Sequence, residues 1–473
     1  MRWNLLQTFD KIYVLNLHGN INRGEKCPDG SKDENVFDIE QGVSINILVK
    51  GMNFKRICDV FYNDLYGLRD NKYQFLNRTI FEELNWTTVK YSSPYYLLKP
   101  SKVSVTDNYE NGFKLTDLFM SYTAGVITAR DDLAIAVSHD ELLKKIEYFA
   151  DTNISDDQIR QTFWPNKKVG KYLPGDSRGW RLSKSREKIR QYNHSALIRR
   201  ITYRPFDFRY IYYSSDVIDW GREKVLSCLT YPNVAIISAR SNKSGRCDHF
   251  YITSELSEAK CGESTTQSTV FPLFCQDSYG HLKSNMNGNI AKQISEKIEI
   301  CYDPDNTNKS SENKMFFTPY DLLHYIYAIM NSNKYRSKYH DKIVMDFPII
   351  PYPTDQETFW KLVEIGGKLR ECHLMQTEFD TEPYSFIGDG TNEVVKPEYK
   401  NGRVYISKTQ YFDNVPQAQW EQYIGGYQPL QKWLKDRKKT ALSAEDIEHY
   451  KKIIAALRLT EELMAEIDQV VEF

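Results

Sequence analysis

The sequence has no apolar run that approaches the length of a membrane-spanning helix, and its first residues lack the pattern of a signal peptide. Its eight cysteines are scattered without a CxxC pair, which argues against a zinc ribbon or a disulfide framework. Its nine histidines form no HExxH motif, so catalysis by a bound metal is not expected. These absences predict a soluble, cytoplasmic protein with reduced thiols.

The sequence also lacks an overall charge of either sign, because its net charge is only −1. That total hides an uneven distribution. Residues 160–210 carry fourteen lysines and arginines but only three acids, a local charge of +11, whereas residues 441–473 carry a charge of −5. A length of 473 residues is sufficient for two or three domains. The chain therefore combines a strongly basic centre with an acidic end.

The first fifty residues predict two strands. Residues 9–17 and 42–50 are rich in β-branched and aromatic side chains and are separated by a polar loop. A chain that opens on a core strand is expected to be the remainder of a larger domain, whose missing part would hold the reactive chemistry. Short strands are predicted for residues 200–275 and a polar loop for residues 276–316. Apolar spacing and capping residues predict helices over residues 55–85, 138–150, 318–329, 354–375 and 443–473.

Several strings in the chain resemble a known family. Residues 35–38 (Asn-Val-Phe-Asp) and 42–50 are similar to the late motifs of amino-group adenine DNA methyltransferases. The similarity is greatest to the large Type ISP restriction-modification enzymes, single chains that join nuclease, helicase, methyltransferase and target-recognition domains. It continues through residues 203–209 (Tyr-Arg-Pro-Phe-Asp-Phe-Arg), 327–329, 342–351 and 423–437, and so covers most of the chain.

The resemblance implies a fold and a domain organisation. The expected fold is an α/β remnant of a methyltransferase fold, comprising its last strands, followed by a mixed α+β target-recognition domain and a helical C-terminus. Residues 1–100 would be the C-terminal part of the methyltransferase domain and residues 101–420 the DNA target-recognition domain. Residues 421–473 would be the helical C-terminal segment.

Two motifs of the family are missing. The sequence has no Asn-Pro-Pro-Tyr tetrapeptide, for which residues 93–96 (Ser-Pro-Tyr-Tyr) are the nearest string, and no glycine-rich loop for S-adenosylmethionine. The chain is therefore expected to bind no cofactor and to be inactive alone, with S-adenosylmethionine held by the missing N-terminal half. Phe37 matches the family position that stacks on an adenine swung out of the duplex. The alternative interpretation of Phe37 is a core residue at the start of a strand.

The basic stretch predicts contact with DNA, because lysine and arginine supply most of the sequence-independent affinity for phosphates. Arginines alternate with aromatic residues between positions 199 and 210, and arginine can also read guanine edges. A solvated charged surface is the alternative. The candidate DNA-binding residues are Lys171, Arg178, Arg181, Lys184, Arg186, Arg199, Arg200, Arg204, Arg209 and Arg240.

Three hypotheses follow for the function. The preferred one is the sequence-specific recognition of double-stranded DNA for an adenine-specific (N6) DNA methyltransferase of a restriction-modification system. A non-catalytic specificity or interaction subunit, which completes a separate methyltransferase in trans, is the alternative. A truncated relic without a function is the third. No membrane partner is expected.

Overall fold

The structure is a computed structural model that describes residues 1–21, 24–51, 58–100, 108–277, 279–307 and 314–473. The chain divides into two compact units. The first unit comprises Met1–Asn108 with Lys243–Arg246, and the second comprises Tyr109–Asn242 with Cys247–Phe473. No helix in the described ranges is long and apolar enough to cross a membrane.

A small mixed sheet forms the centre of the first unit. Its elements are α1 (Arg2–Thr8), β1 (Lys11–Asn16), β2 (Ser44–Val49), β3 (Asp59–Asp64), α2 (Arg69–Arg78), a 3-10 turn (Phe81–Glu83) and β4 (Thr87–Thr88). The strand order is β2-β1-β3-β4, in which β1 is antiparallel to β2 and parallel to β3. Ile12, Val14 and Val60 pack in one buried cluster, so β1 and β3 supply the core of this unit. In contrast, β2 is exposed at every position.

The helix predicted over residues 55–85 is wrong for its first part. Residues 59–64 form β3, and the helix α2 begins only at Arg69; the predicted apolar position Ile57 lies outside the described residues. Val60 and Tyr62 are buried while Phe61 and Asn63 are less so, which is the alternation of a strand. Periodicity alone does not separate a short apolar strand from a helix, and here pairing with β1 decides.

The second unit is mixed α/β with several small sheets. Its helices are α3 (Leu115–Leu118), α4 (Asp131–Ala134), α5 (His139–Ala150), α6 (Asp156–Phe163), α7 (Leu182–Ile189), α8 (His194–Leu197), α9 (Glu223–Leu226), α10 (Gly288–Ile298), α11 (Pro319–Asn331), α12 (Asn333–Ile343), α13 (Gln356–His373), α14 (Gln417–Glu421), α15 (Pro429–Lys435) and α16 (Ala444–Val470). The predicted helices at 138–150, 318–329, 354–375 and 443–473 are confirmed as α5, α11, α13 and α16. The loop predicted for residues 276–316 is wrong, since α10 buries Ile290, Ile294 and Ile298 on one face.

The strands of the second unit are short. They are β5 (Phe113–Lys114), β6 (Thr123–Ala124), β7 (Ile135–Ala136), β8 (Ile198–Arg204), β9 (Asp207–Tyr212), β10 (Ala235–Ser238), β11 (Tyr251–Thr253), β12 (Leu256–Ser257), β13 (Thr269–Pro272), β14 (Phe274–Gln276), β15 (Leu282–Ser284), β16 (Cys301–Tyr302), β17 (Phe316–Phe317), β18 (Ile349–Ile350), β19 (Phe386–Ile387), β20 (Glu398–Lys400), β21 (Arg403–Tyr405) and β22 (Tyr411–Phe412). Three sheets have four strands in the described part, with the orders β11-β10-β13-β6, β12-β8-β9-β7 and β19-β22-β21-β20.

The helix α11 is the centre of the largest core. All thirteen of its residues are buried, as expected for a helix enclosed on every side. Gly366 on α13 allows the two helices to approach closely, because a Cβ atom there would lie only 2.0 Å from the carbonyl oxygen of His324.

Candidate nucleic-acid interface

Six exposed cations follow one another closely in the second unit, between the end of α6 and the first turn of α7. We call them the basic surface: Lys167, Lys168, Lys171, Arg178, Arg181 and Lys184. Within the described ranges, none of the six pairs with an acid. Lys171 and Arg181 instead lie over the ring of Tyr172, at 5.7 and 5.1 Å from its centroid. Four of the six are predicted DNA-binding residues, and Lys167 and Lys168 extend the set.

The loop that carries the basic surface is anchored at its base. Arg160 donates to the carbonyl oxygen of Pro174 and lies 3.1 Å from the carboxylate of Asp176. That carboxylate also accepts from the backbone N–H of Leu182 at 3.0 Å, at the start of α7. Gly175 has φ +89°, and a Cβ atom there would lie 2.3 Å from the ring of Trp164. The ends of the loop are therefore held by the protein while its cations face solvent.

Arg186 is placed differently, although it lies only two residues after Lys184. Its side chain is buried and its guanidinium donates to the carbonyl oxygens of Phe149 at 2.7 Å and Ile154 at 2.7 Å. It also pairs with the carboxylate of Asp156. Arg186 therefore joins α5, α6 and α7 through contacts inside the second unit.

Arg204 and Arg209 are also engaged inside the second unit. Arg204 lies 2.6 Å from the carboxylate of Glu258, and Arg209 lies 2.7 Å from that of Asp207. Both guanidinium groups contact the ring of Tyr203, at 4.0 and 3.9 Å from its centroid. The interleaving of arginines and rings in this string thus forms intramolecular cation–π contacts at the end of the β8–β9 hairpin.

Asp207 connects this hairpin to the C-terminal part of the chain. Its carboxylate is fully buried and lies 3.0 Å from Arg437 as well as beside Arg209. Burial alone would raise the pKa of Asp207, but the two guanidinium groups hold that pKa below its ordinary value. Residues of the 203–209 and 423–437 strings therefore meet in one charge network.

The remaining three predicted arginines combine exposure to solvent with contacts inside the second unit. Arg199 donates to the backbone carbonyls of Ala196 and Ile198. Arg200 is about half exposed and lies 3.4 Å from Glu255. Arg240 is 81% exposed, with Asp346 at 3.8 Å. These three positions retain some access to solvent, but they do not belong to the basic surface.

Phe37 lies in the first unit, between β1 and β2. Its ring is 56% exposed, whereas the preceding residue, Val36, is 3% exposed and packs with Leu15 and Leu17. The interpretation of Phe37 as a core phenylalanine is therefore wrong for this structure. The ring is presented to solvent from a segment that Arg69, Lys72 and Tyr73 hold through its carbonyl oxygens. No feature of the sequence singled out these three residues.

The start of the loop after β1 is held by contacts within the first unit. The N–H of Gly19 donates to Asp33 at 2.6 Å. A Cβ atom on Gly19 would lie 2.3 Å from the backbone of Asn35, so the close approach serves the chain itself. Glu25 and Asp64 lie nearby, each 2.7 Å from His18. The N–H of Gly19 and the ring nitrogens of His18 are thus engaged by carboxylates of the same unit.

Comparison with known families gives one match. The model of the Type ISP C-terminal specificity domain matches residues 117–466, about three quarters of the chain. The chain belongs to this family. The predicted resemblance to Type ISP enzymes is thereby confirmed. No curated protein matches the chain.

Solved structures share the fold of this Type ISP chain. A cryo-EM structure of a DrdV–DNA complex has a TM-score of 0.70 at 19% identity, over 100% of this chain and 48% of that one. The ATP-dependent Type ISP restriction-modification enzyme LlaBIII bound to DNA has a TM-score of 0.68 at 20% identity, with 100% and 32% covered. A nuclease-deletion mutant of the Type ISP enzyme LlaGI with a DNA substrate mimic has 0.68 at 17%, with 100% and 38% covered. The chain thus spans less than half the length of these proteins.

Proposed function

We propose that this chain recognises duplex DNA for a restriction-modification enzyme and that the basic surface grips the phosphate backbone. The observation that supports it most is a run of exposed cations on an anchored loop, which have no acid partner among the residues that the structure describes. Cations fixed in this way release condensed counterions on binding, which drives sequence-independent affinity. The family match and the DNA present in the similar structures support the proposal.

Measurement of DNA affinity at several salt concentrations tests this part of the proposal. The logarithm of the binding constant should fall linearly with the logarithm of the salt concentration, by about 0.9 per phosphate contact. Six cations would give a slope of about −5. Binding that is absent at low salt, or that salt leaves unchanged, would contradict the proposal.

The specificity of base reading is assigned to the second unit. Direct reading requires side chains that reach base edges in a groove, whereas phosphate contacts set register. Arg200 and Arg240 are the exposed predicted arginines outside the basic surface, so we assign them to base edges or to the adjoining backbone. Loss of either should change the preference among sequences more than the salt dependence.

The first unit is proposed as the last strands of an adenine-N6 methyltransferase fold, with Phe37 stacking on the extruded base. The exposed edge strand β2 supports this proposal, since four of its six residues are apolar and each of these is about 40% exposed: Ile45, Ile47, Leu48 and Val49. An open, apolar edge is normally covered or paired. A methyltransferase core that pairs with β2 would bind S-adenosylmethionine, and the assembly would act in the cytoplasm where the DNA lies.

That core is proposed to belong to the same polypeptide, and the greater length of the proteins of similar fold supports this. A separate methyltransferase completed in trans by this chain is the second candidate. The open reading frame upstream of this chain distinguishes the two. Co-expression with the upstream half, followed by an N6-adenine methylation assay on plasmid DNA, tests both, and no methylation would contradict the methyltransferase assignment.

A further inference from the structure

The backbone around Phe37 is held by side chains of a single helix. The carbonyl oxygen of Asn35 accepts from Arg69 Nε at 2.8 Å, and that of Phe37 accepts from another nitrogen of the same guanidinium at 3.0 Å. The carbonyl oxygen of Val36 accepts from the hydroxyl of Tyr73 at 2.5 Å. Three successive carbonyl groups are thus fixed by two residues of α2.

A buried base supports these contacts. Lys72 donates to the carbonyl oxygens of Glu34 at 2.7 Å and Leu17 at 2.7 Å, and it pairs with Asp33 at 2.8 Å with both side chains inaccessible to solvent. On the other side, the amide of Asn35 donates to the carbonyl oxygen of Gln41 at 2.6 Å. The segment is therefore fixed before and after Phe37.

We infer that Arg69 and Tyr73 are positioning residues that set the orientation of the Phe37 ring for stacking on an extruded adenine. The inference rests on the stacking role of Phe37 in the proposed function. An exposed ring on a mobile backbone would have to be ordered each time a base stacked on it, which would reduce the benefit of stacking. Hydrogen bonds to the carbonyl groups of Val36 and Phe37 fix the backbone beforehand and so remove most of that cost, as supporting residues do in preorganised sites.

The partial exposure of Arg69 and Tyr73 distinguishes them from residues that only stabilise the fold. Tyr73 is 41% exposed, and the side chain of Arg69 is 36% exposed. Their contacts go to the backbone of the segment that presents Phe37, whereas Lys72 is fully buried and its loss would destabilise the unit. Replacement of Arg69 or Tyr73 should therefore loosen the Phe37 segment and leave the sheet folded.

The test uses the full chain and two DNA duplexes that differ by one bulged adenine. A bulged base is already unpaired and is cheaper to extrude, so stacking on Phe37 should appear as tighter binding to the bulged duplex. Phosphate contacts are shared by the two duplexes, so the ratio of the two affinities measures the contribution of the bulged base. Phe37→Ala should abolish the preference, and Arg69→Lys and Tyr73→Phe should each reduce it about five-fold, the effect of one lost hydrogen bond on the oriented population. Arg78→Lys, on the same helix and exposed, is the matched control.

A second readout follows the ring without DNA. With 4-fluorophenylalanine at position 37, the wild-type chain should give one narrow fluorine resonance, which Arg69→Lys and Tyr73→Phe should broaden or split. If the variants change neither the resonance nor the preference while Phe37→Ala abolishes it, the positioning role is overturned and stacking stands. If the wild-type chain has no preference, or Phe37→Ala retains it, the stacking role itself is overturned whatever the resonance shows, and the inference falls with it.

Discussion

The basic surface and the β8–β9 hairpin lie in one basic stretch of the sequence, yet the structure uses their cations in opposite ways. Lys171, Arg178 and Lys184 face solvent without acid partners. Arg204 and Arg209 pair with buried acids and stack on Tyr203. A local excess of positive charge therefore does not by itself mark a nucleic-acid surface, because acids inside and outside the stretch, such as Asp207 and Glu258, pair with some of its cations.

The hairpin network should be the most sensitive to substitution. Asp207→Asn removes the anion shared by Arg209 and Arg437 and leaves them only the longer contacts to Asp436 and Asp446, which should cost about 3–5 kcal/mol of unfolding free energy. Urea unfolding measures this. The control Asp413→Asn removes the partner of the half-exposed Arg403 and should cost less than about 1 kcal/mol. Equal losses would show that the hairpin pairs are no more important than surface pairs.

Acid should weaken the same network. The pKa of Asp207 is lowered in the folded chain, so its ion pairs contribute stability that is fully present above the unfolded-state pKa of about 4 and is lost as pH falls through the folded-state pKa. The unfolding free energy of the wild-type chain should therefore decline below about pH 4 more steeply than that of Asp207→Asn. Parallel pH profiles for the two proteins would contradict this assignment.

Arg186 lies beside the basic surface in the sequence, but its substitution should reduce stability, as expected for Arg204 and Arg209, because its contacts are internal. Arg186→Met leaves the carbonyl oxygens of Phe149 and Ile154 unpaired and should cost roughly 2–3 kcal/mol of unfolding free energy. The salt slope of DNA binding by the folded protein should stay unchanged. Arg190→Met, an exposed cation at the end of α7, is the matched control and should leave stability within about 0.5 kcal/mol.

Substitutions in the basic surface should change the salt dependence of DNA binding and leave stability nearly unchanged. A triple variant with Lys171→Gln, Arg178→Gln and Lys184→Gln should retain its unfolding free energy within about 1 kcal/mol. Its salt slope should become shallower by about three, one per lost phosphate contact. Replacement of three exposed lysines elsewhere, Lys292, Lys361 and Lys452, by glutamine removes the same charge. If that control variant changes the salt slope equally, the affinity depends on net charge and not on the basic surface.

The smallest effect is expected at Arg240. It is 81% exposed and only 3.8 Å from Asp346, so Arg240→Gln should change stability by less than about 0.5 kcal/mol. A base contact would appear as a change in sequence preference worth about 1–3 kcal/mol at one position of the site. A uniform loss across sequences would place Arg240 with the phosphate contacts.

The long helices were predictable because their signals are local. Ser138, Thr318 and Ser443 cap α5, α11 and α16 as their sequence patterns indicate. β3 and α10 were predicted wrongly for different reasons. The pattern of β3 is too short to separate a strand from a helix, and its partner β1 lies more than forty residues earlier in the chain. The apolar stripe of α10 lies among polar residues, which favoured the prediction of a loop.

The sequence by itself determined the family, the uneven charge and the place of Phe37 in the segment that precedes the second strand. Those properties depend on residue types and their order. Only the tertiary structure decided which cations are available to DNA, because Asp207 meets Arg437 across 230 positions of the chain and no local pattern predicts that pair. The same holds for Phe37, whose exposure depends on contacts from a helix more than thirty residues later. Exposure is set by long-range partners, and a charge or a ring becomes a site only where those partners leave it free.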